Sequence, residues 1–230
     1  MAGCLEVKLN KSEITSYLEL LSPKISYGKA KAEAEKLDKI LGFDFDSIEK
    51  KLSVENRRQD KVVAKQFWIG LDAQSLQTPY SEVIEMIQEL NPQPENLWID
   101  LGAGYGRLGV VLGFLKPEVK FLGYEFIESR VNEGNRIFTK WDLKNAKIIQ
   151  TDLASQSFDL QNAEVYFLYD FGSQADVYLI IEKLRNVASK RQIKVIARGR
   201  GIKNWILLDF PWLAEVNAPV HFRNWSLFRS

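Results

Sequence analysis

The amino-acid sequence predicts an α/β fold in which a doubly wound, mostly parallel sheet is closed by a C-terminal antiparallel hairpin and preceded by a helical cap. From residue 97 onward, short apolar runs alternate with segments of helical spacing, the pattern of strand–helix–strand units. The run 163–169 is mostly β-branched and aromatic, as expected of a central strand buried on both faces. Residues 1–66 are rich in Lys, Glu, Leu and Ala with apolar residues at helical spacing, which indicates helices in front of the sheet.

Size and composition are those of an ordinary globular protein. The 230 residues suffice for one large domain with an appendage, and a formal net charge of +1 gives no global attraction to nucleic acid or to an anionic membrane. One cysteine (Cys4) and one histidine (His221) cannot build a disulfide framework or a Cys/His metal cluster. No apolar run approaches the roughly 18 residues of a membrane-spanning helix, and no signal-peptide pattern is present. We therefore predict a soluble, cytoplasmic protein with no metal and no membrane partner.

The first predicted unit, residues 1–75, is the helical cap. Ser12 is positioned to cap its first helix, and Gly42 is a natural end for its second. Asp46, followed three residues later by Glu49, resembles a capping box at the start of a third helix. Two interpretations of the cap stay open: a helical layer packed on the core, or one wall of a substrate cleft.

The second predicted unit, residues 76–230, contains the sheet. Ser81 can cap a first helix, which Asn91-Pro92 ends. Strands are predicted at residues 97–100, 119–124, 146–149, 163–169, 193–197, 212–216 and 225–228, with helices at 108–115, 127–141 and 175–187. The last two strands form the closing hairpin.

A glycine-rich turn follows the first predicted strand. The apolar run ends at Asp100, and then Gly102, Gly104 and Gly106 alternate with other residues before a helix begins. Glycines allow the backbone to turn sharply and let a ligand approach with no Cβ in the way. The helix start adds unpaired N–H groups and a positive dipole end. The stretch therefore predicts a site for a nucleotide-like cofactor.

The register of this turn discriminates between two cofactors. The spacing Gly104, Gly106 and Gly109 matches the dinucleotide fingerprint, and Glu125 lies near the distance expected of a ribose-binding acid. A turn starting at Gly104, however, would leave Asp100 inside the strand as a buried carboxylate without a partner, which is costly. A turn that starts at Gly102 places Asp100 at the strand end, within reach of a ligand ammonium group. Gly109 is then a helix-packing residue.

Ligands of open α/β sheets bind outside the carboxyl ends of the strands. The residues predicted there are Asp100, Glu125, Asp152, Asp170 and Arg198. S-adenosylmethionine presents an ammonium group, a ribose diol and an adenine amine. The carboxylates Asp100, Glu125 and Asp152 offer one acceptor for each of these groups, which favours S-adenosylmethionine over a dinucleotide.

The same residues carry a family resemblance. Residues 100–106 resemble motif I of class I S-adenosylmethionine-dependent methyltransferases, residues 123–125 the acidic end of their second strand, and residues 151–153 their adenine-side motif. The final hairpin resembles their sixth and seventh strands. The resemblance covers residues 76–230 and implies a seven-strand sheet. It also implies that S-adenosylmethionine is held by Asp100, Gly102, Gly104, Gly106, Glu125, Asp152 and Leu153.

A narrower resemblance concerns the substrate. Residues 77–80 before a helix, together with Arg107 after the third glycine, are similar to the non-SET, seven-strand protein-lysine methyltransferases. These include the family-with-sequence-similarity-173 group and the disruptor-of-telomeric-silencing type. In that family the stretch before motif I folds over the cofactor, which implies cofactor contacts for Thr78 and Tyr80. The end of the fourth strand departs from the histone enzymes, which have an Asn-containing motif where this chain has 169–172.

These observations lead to a functional prediction with alternatives. The leading one is methyl transfer to a protein lysine, with Asp170 and Tyr169 facing the transferring methyl group and Tyr80 or Trp68 closing the pocket. The alternatives are a small-molecule or RNA methyltransferase, an NAD-dependent oxidoreductase and a non-catalytic S-adenosylmethionine-binding protein. An RNA substrate needs a basic surface interleaved with aromatic residues, which the sequence offers at 198–203.

Structural roles compete with the functional ones at several positions. Asp170 can simply cap the helix that follows, and Arg198 and Arg200 are expected in a solvated loop. His221 is expected on a surface strand.

Overall fold

The computed structural model describes residues 9–58, 74, 77–169 and 171–230. The strands are β1 (Leu97–Leu101), β2 (Lys120–Glu125), β3 (Ala146–Gln150), β4 (Val165–Tyr169), β5 (Lys194–Arg198), β6 (Val220–His221) and β7 (Trp225–Arg229). They form one seven-stranded sheet in the order β3-β2-β1-β4-β5-β7-β6. Strands β1 to β5 are parallel, whereas β7 runs antiparallel to both β5 and β6. The predicted sheet and its closing hairpin are confirmed.

Helices cover both faces of this sheet. They are α1 (Lys11–Leu20), α2 (Tyr27–Leu41), α3 (Phe45–Arg58), α4 (Tyr80–Leu90), α5 (Arg107–Leu115), α6 (Glu128–Lys140), α7 (Gln174–Ala188) and α8 (Arg200–Asp209), with a short 3-10 helix at Pro211–Leu213. Apolar side chains of α4, α5 and α6 pack on one face, and those of α7 and α8 pack on the other. The fold is therefore doubly wound. None of the helices in the described ranges is long and apolar enough to cross a membrane.

The N-terminal helices pack on the α4–α5 face of the sheet. Leu18 of α1 and Leu37 of α2 are fully buried, and they belong to the same apolar cluster as Ile84 of α4 and Val110 of α5. The helices α1 to α3 are called the cap below. The cap buries its apolar stripe against the same core that supports β1.

Three helix ends were predicted in the cap, and the structure differs from the prediction at two of them. Asn10, not Ser12, caps α1, because its Oδ1 accepts from the N–H of Glu13 (3.0 Å) while Glu13 returns a bond to the Asn10 N–H (2.7 Å). Gly42 ends α2 in the left-handed conformation, as predicted. The predicted capping box of Asp46 and Glu49 is wrong, since the Glu49 carboxylate is bound by side chains outside α3.

Three other boundaries correct the sequence prediction. Ser81 does not cap α4: Pro79 precedes the helix without a side-chain cap, and Ser81 is buried inside its first turn. The predicted strand 212–216 is wrong, because β7 pairs instead with Val220–His221. The sequence prediction also missed α8. Gly199 and Gly201, at its start, suggested a loop. Ile202 and Ile206 nevertheless form a buried helical stripe.

Parallel strand pairing brings the functional candidates to one edge. Leu101 of β1 lies beside Tyr124 of β2 and Leu168 of β4, and Tyr169 lies beside Arg198 of β5. The carboxyl ends of β1, β2, β4 and β5 therefore meet at the edge of the sheet where ligands bind in this class of fold.

Candidate functional site

The glycine turn begins at Gly102, as its register predicted. The N–H groups of Gly102 and Ala103 both donate to the carbonyl oxygen of Tyr124, at 3.0 and 2.9 Å, which fixes the turn to β2. Gly102 has φ +102°, and a Cβ there would lie 3.1 Å from Cβ of Phe171. Gly104 has φ +54°. These backbone conformations disfavour any residue with a side chain, so the turn is built from glycine for geometric reasons.

The remaining two glycines close the turn and start α5. Gly106, also at positive φ, is the residue before α5 and packs under Ile148. A Cβ at Gly109 would lie 2.4 Å from Cδ1 of Phe121, so Gly109 allows α5 to pack closely on β2. The prediction that Gly109 is a packing residue is confirmed.

Asp100 lies inside β1 and not at its end, which corrects the sequence prediction. It pairs with Gly123 of β2 and Phe167 of β4, and its side chain is only 5% exposed. Its Oδ1 has no hydrogen-bond partner among the described residues. Burial, reinforced by the charge of Glu125, raises the pKa of Asp100 well above its ordinary value. The buried carboxylate that a turn starting at Gly102 was expected to avoid is therefore present, and an unpartnered buried acid of this kind is a candidate for a functional site.

Glu125 connects the turn to the next helix. Its Oε2 accepts from the N–H of Gly104 (2.9 Å), and its Oε1 accepts from the N–H of Ile127 (2.9 Å). The guanidinium of Arg130 stands 4.0 Å from Oε1. The carboxylate therefore holds the glycine turn in place. Its predicted bond to a ribose stays a prediction.

The adenine-side candidates lie after β3. Asp152 is exposed, and its Oδ1 accepts from the N–H of Ala154 (2.9 Å), which makes a local turn. Leu153 is buried in the apolar cluster beneath Tyr124 and Phe158. The structure gives both residues local structural roles, and their cofactor contacts stay predictions.

A small cavity lies between the glycine turn and the segment before α4. It is lined by Gln77, Thr78, Val83, Asp100, Gly102, Ala103, Arg107, Leu108, Phe167 and Tyr169. Its volume is about 20 Å³, room for about one water molecule. The structure thus brings Thr78 and Tyr169 together with Asp100 around one cavity, and their roles in cofactor binding and catalysis stay predictions. A ligand larger than about one water molecule does not fit in this volume.

Tyr80 does not line this cavity. Its ring is fully buried, and its hydroxyl donates to Oδ1 of Asp38 in the cap (2.7 Å). Its cofactor contact stays a prediction, while the observed contact ties α4 to the cap.

A buried ion pair that sequence reasoning missed joins the cap to the glycine turn. Arg107, the first residue of α5, pairs with Asp38 of α2, and both side chains are at most 4% exposed. Arg107 Nε donates to Asp38 Oδ1 (3.2 Å), and Gln74 Nε2 donates to Asp38 Oδ2 (2.7 Å). Arg107 Nη1 also donates to the carbonyl of Thr78 (3.2 Å). The guanidinium of Arg107 therefore contacts both α2 of the cap and the segment around Thr78 that lines the cavity.

A second buried pair flanks the other side of Gly106. Glu49 of α3 accepts from Nε and Nη2 of Arg130 at 2.9 and 3.1 Å, and its Oε1 also accepts from the hydroxyl of Tyr105 (2.8 Å). Both neighbours of Gly106 are thus bound to cap carboxylates. A sequence signal existed for Asp38, because it lies on the same helical stripe as the buried Ala34, Leu37 and Leu41.

The carboxyl ends of β4 and β5 hold the remaining candidates. Tyr169 ends β4 half-buried, with the Arg198 guanidinium carbon 4.3 Å from its ring centre. Arg198 is buried and donates from Nε to Oε2 of Glu82 (2.8 Å), so its predicted place in a solvated loop is wrong. Asp170 and Trp68 lie outside the described residues, and their roles stay predictions. His221 lies on the exposed strand β6, as predicted.

No group of three or more His, Cys, Asp or Glu side chains in the described ranges is placed to hold a metal ion.

Comparison with known proteins gives structural neighbours and no sequence relatives. No protein-family model matches the chain, and no curated protein matches its sequence. A precorrin-6Y C5,15-methyltransferase from Geobacter metallireducens is similar with TM-score 0.51 and 16% identity, over 69% of this chain and 91% of that one. The C-terminal domain of the Rhodobacter capsulatus precorrin-6Y C5,15-methyltransferase gives 0.48 and 17%, over 69% and 90%. An RNA methyltransferase from Salinibacter ruber, solved with S-adenosyl-L-homocysteine, gives 0.47 and 18%, over 66% and 91%.

At these identities the likeness shows a common fold alone. The first neighbour, with a TM-score above 0.5, suffices to show it. Together with the observed strand order, it shows that the chain has the class I, Rossmann-like methyltransferase fold.

Proposed function

We propose that this protein is an S-adenosylmethionine-dependent methyltransferase. The observation that carries the proposal is Asp100, a buried carboxylate with an unpartnered oxygen, beside a glycine turn at the ligand-binding edge of a methyltransferase fold. A buried acid without a counter-charge is costly in the free protein, and it is explained when a ligand cation supplies the missing partner.

The residues present fit the proposed cofactor. When bound, S-adenosylmethionine supplies a methyl group activated on a sulfonium. Asp100 would accept hydrogen bonds from its ammonium group, while the Gly102 and Gly104 backbone allows close approach without a Cβ. Glu125 would reach the ribose hydroxyls from the end of β2. Thr78 and Tyr169, which face Asp100 across the cavity, would exclude water from the reacting atoms.

The same geometry disfavours an NAD-dependent oxidoreductase. The turn starts at Gly102, so the fingerprint spacing that begins at Gly104 is out of register with the end of β1.

The choice of methyl acceptor lies between two classes. The family resemblance favours a protein lysine, with Asp170 and Tyr169 beside the transferring methyl group. The structure supports the alternative of RNA or a small molecule, because Lys203 and Arg223 line a cavity together with Tyr169. These cations repel a lysine ammonium and attract an anion. We therefore favour an anionic acceptor. The cytoplasmic location predicted from sequence stays part of this proposal.

Transfer of a tritiated methyl group from S-adenosylmethionine to a cell extract tests the proposal. We expect incorporation of label with the unaltered protein and with Lys147→Gln, an exposed change on β3, and a strong loss with Asp100→Asn. Label removed by nuclease, or present in small molecules, supports the favoured acceptor. Protease-sensitive label supports lysine instead. No labelling, or equal labelling by Asp100→Asn, contradicts the proposed function.

A further inference from the structure

A second and larger cavity opens at the carboxyl ends of β4 and β5, beside the glycine-turn cavity. It is lined by Tyr27, Tyr169, Ala197, Arg198, Gly199, Lys203, Phe222, Arg223, Asn224, Trp225 and Ser226, and we call it the β5–β7 cleft. Its volume is about 390 Å³, within the usual range for small-ligand sites. Tyr169 lines both cavities. A molecule in the β5–β7 cleft would therefore lie next to the proposed cofactor site.

The described side chains that line the cleft carry a net positive charge. Lys203 of α8 is half-buried and Arg223 is exposed, and no carboxylate in the described part of the chain lies within 4.0 Å of either cation. The Arg198 charge is balanced by Glu82, whose second oxygen accepts from Nδ2 of Asn224 (2.6 Å). Both carboxylate oxygens of Glu82 therefore accept hydrogen bonds from residues that line the cleft. Two cations remain to attract an anionic group.

Aromatic rings from different elements line the same cleft. Phe222 stacks on Trp225 with ring centres 3.8 Å apart and an interplanar angle of 4°. Trp225 is itself fixed, because its Nε1 donates to Oε2 of Glu85 (2.7 Å). Phe222 is half-buried above this anchored ring, while Tyr27, from the start of α2 in the cap, is 39% exposed. The cleft therefore offers one aromatic ring beside the sheet and one from the cap, and the Lys31 ammonium lies over the ring from the cap, 5.4 Å from its centre.

We propose that the β5–β7 cleft binds a nucleotide unit, a planar base bearing a phosphate, as the methyl acceptor. The inference rests on the proposed function and names its substrate class. The rings of Phe222 and Tyr27 provide stacking surfaces for a base, which is how proteins hold unpaired nucleotides. Lys203 and Arg223 provide the phosphate contacts. The nucleotide comes either from single-stranded RNA or from a free mononucleotide, and both present the same chemistry to the cleft.

Binding measured without catalysis tests this inference. The probe is a short, fluorescein-labelled single-stranded RNA, titrated with the full chain and followed by fluorescence anisotropy. Unlabelled adenosine and uridine monophosphates compete in a second arm. Strong competition at low concentration assigns the site to a free nucleotide, and weak competition assigns it to an RNA strand. Either result supports the cleft.

Two variants and a charge-matched control locate the binding. Lys203→Gln combined with Arg223→Gln should weaken binding roughly tenfold or more and lower the slope of log affinity against log salt by about 1.4, since each contact to a single strand contributes about 0.7. Phe222→Leu keeps an apolar side chain over Trp225 but removes the ring, and should weaken binding roughly tenfold. Lys147→Gln combined with Lys190→Gln removes the same charge from exposed positions outside the cleft and should leave binding unchanged.

The outcomes that overturn the inference are separate from failure of the proposed function. Absence of binding by either probe, or equal weakening by the cleft pair and the control pair, contradicts the cleft. S-adenosylmethionine affinity is measured on the same variants by calorimetry. If that affinity is intact while nucleotide binding is absent, the substrate class fails and the proposed cofactor stands.

Discussion

At the scale of single residues, the proposed function depends on a carboxylate in an unfavourable place. Asp100 is held inside the central strand β1 with one oxygen unpartnered and with Glu125 nearby. A protein built only for stability would place an amide or an apolar residue there. The position is therefore best explained by ligand binding, and this explanation has a consequence for the free protein.

Asp100→Asn should stabilise the protein when no ligand is present. Burial raises the folded-state pKa of Asp100, so at neutral pH the carboxyl either ionises at a cost or binds a proton that the unfolded chain would release. The stability of the unaltered protein should fall, relative to Asp100→Asn, as pH rises above about 4, the carboxyl's ordinary pKa. At pH 7 we expect a gain of about 1–3 kcal/mol for the variant, measured by urea unfolding. A variant that is less stable at every pH contradicts this account.

Gly102→Ala tests the turn geometry. Alanine at φ +102° and 3.1 Å from Cβ of Phe171 should cost about 1–3 kcal/mol of stability, and the distorted turn should bind S-adenosylmethionine more weakly. The control is Gly28→Ala in α2, where a Cβ meets nothing within 4 Å. Thermal unfolding and calorimetric titration of both variants provide the measurement. Equal behaviour of the two would show that the turn does not require glycine at its first position.

At the scale of elements, the cap is bound to the glycine turn by buried charges. Asp38 pairs with Arg107, and Glu49 pairs with Arg130 and with Tyr105, so both residues beside Gly106 contact the cap. Such pairs contribute little net stability compared with apolar packing, but removal of one partner leaves the other charge buried and unpaired.

Asp38→Asn should therefore be strongly destabilising, by about 3–5 kcal/mol in urea unfolding. It should also weaken S-adenosylmethionine binding, because Arg107 follows the turn directly and holds the carbonyl of Thr78. Glu35→Gln on the same helix is the matched control, since its partner Lys39 is exposed and the pair lies in solvent. We expect no measurable change for the control. A small effect of Asp38→Asn, similar to that of Glu35→Gln, would argue against a structural link between cap and turn.

Sequence periodicity predicted the alternating strands and helices well, because burial on one or both faces of an element requires a regular spacing of apolar residues. It failed where long-range contacts decided the outcome. Glu49 suggested a local helix cap, yet it binds Arg130, which lies 81 positions later in the chain. The buried place of Arg198 likewise depends on Glu82, 116 positions away. The glycine turn and Glu125 were recognisable because their chemistry is local to the strand ends, whereas the partners of Asp38 were not.

At the scale of the whole molecule, the cap and the sheet share one apolar cluster. Leu18 and Leu37 of the cap belong to the same apolar cluster as Ile84 of α4 and Val110 of α5, the helices that cover one face of the sheet. The indole N–H of Trp141, at the end of α6, also donates to the carbonyl of Leu41 in α2 (3.0 Å). The boundary predicted at residue 75 therefore separates segments of sequence that we expect to fold together.

Urea unfolding should accordingly show one transition. We expect the far-UV circular dichroism, which reports the helices of both segments, to coincide with the tryptophan fluorescence. Separate midpoints, with helix loss before the fluorescence change, would show that the cap folds independently.

The central claim is that this site binds S-adenosylmethionine through Asp100. Isothermal titration calorimetry with S-adenosylmethionine, S-adenosylhomocysteine and NAD tests it most directly. We predict that both adenosyl compounds bind once per chain, that NAD does not bind, and that Asp100→Asn weakens binding about 10- to 100-fold while remaining folded. Binding of NAD in preference to the adenosyl compounds, or unchanged affinity in Asp100→Asn, would contradict the claim.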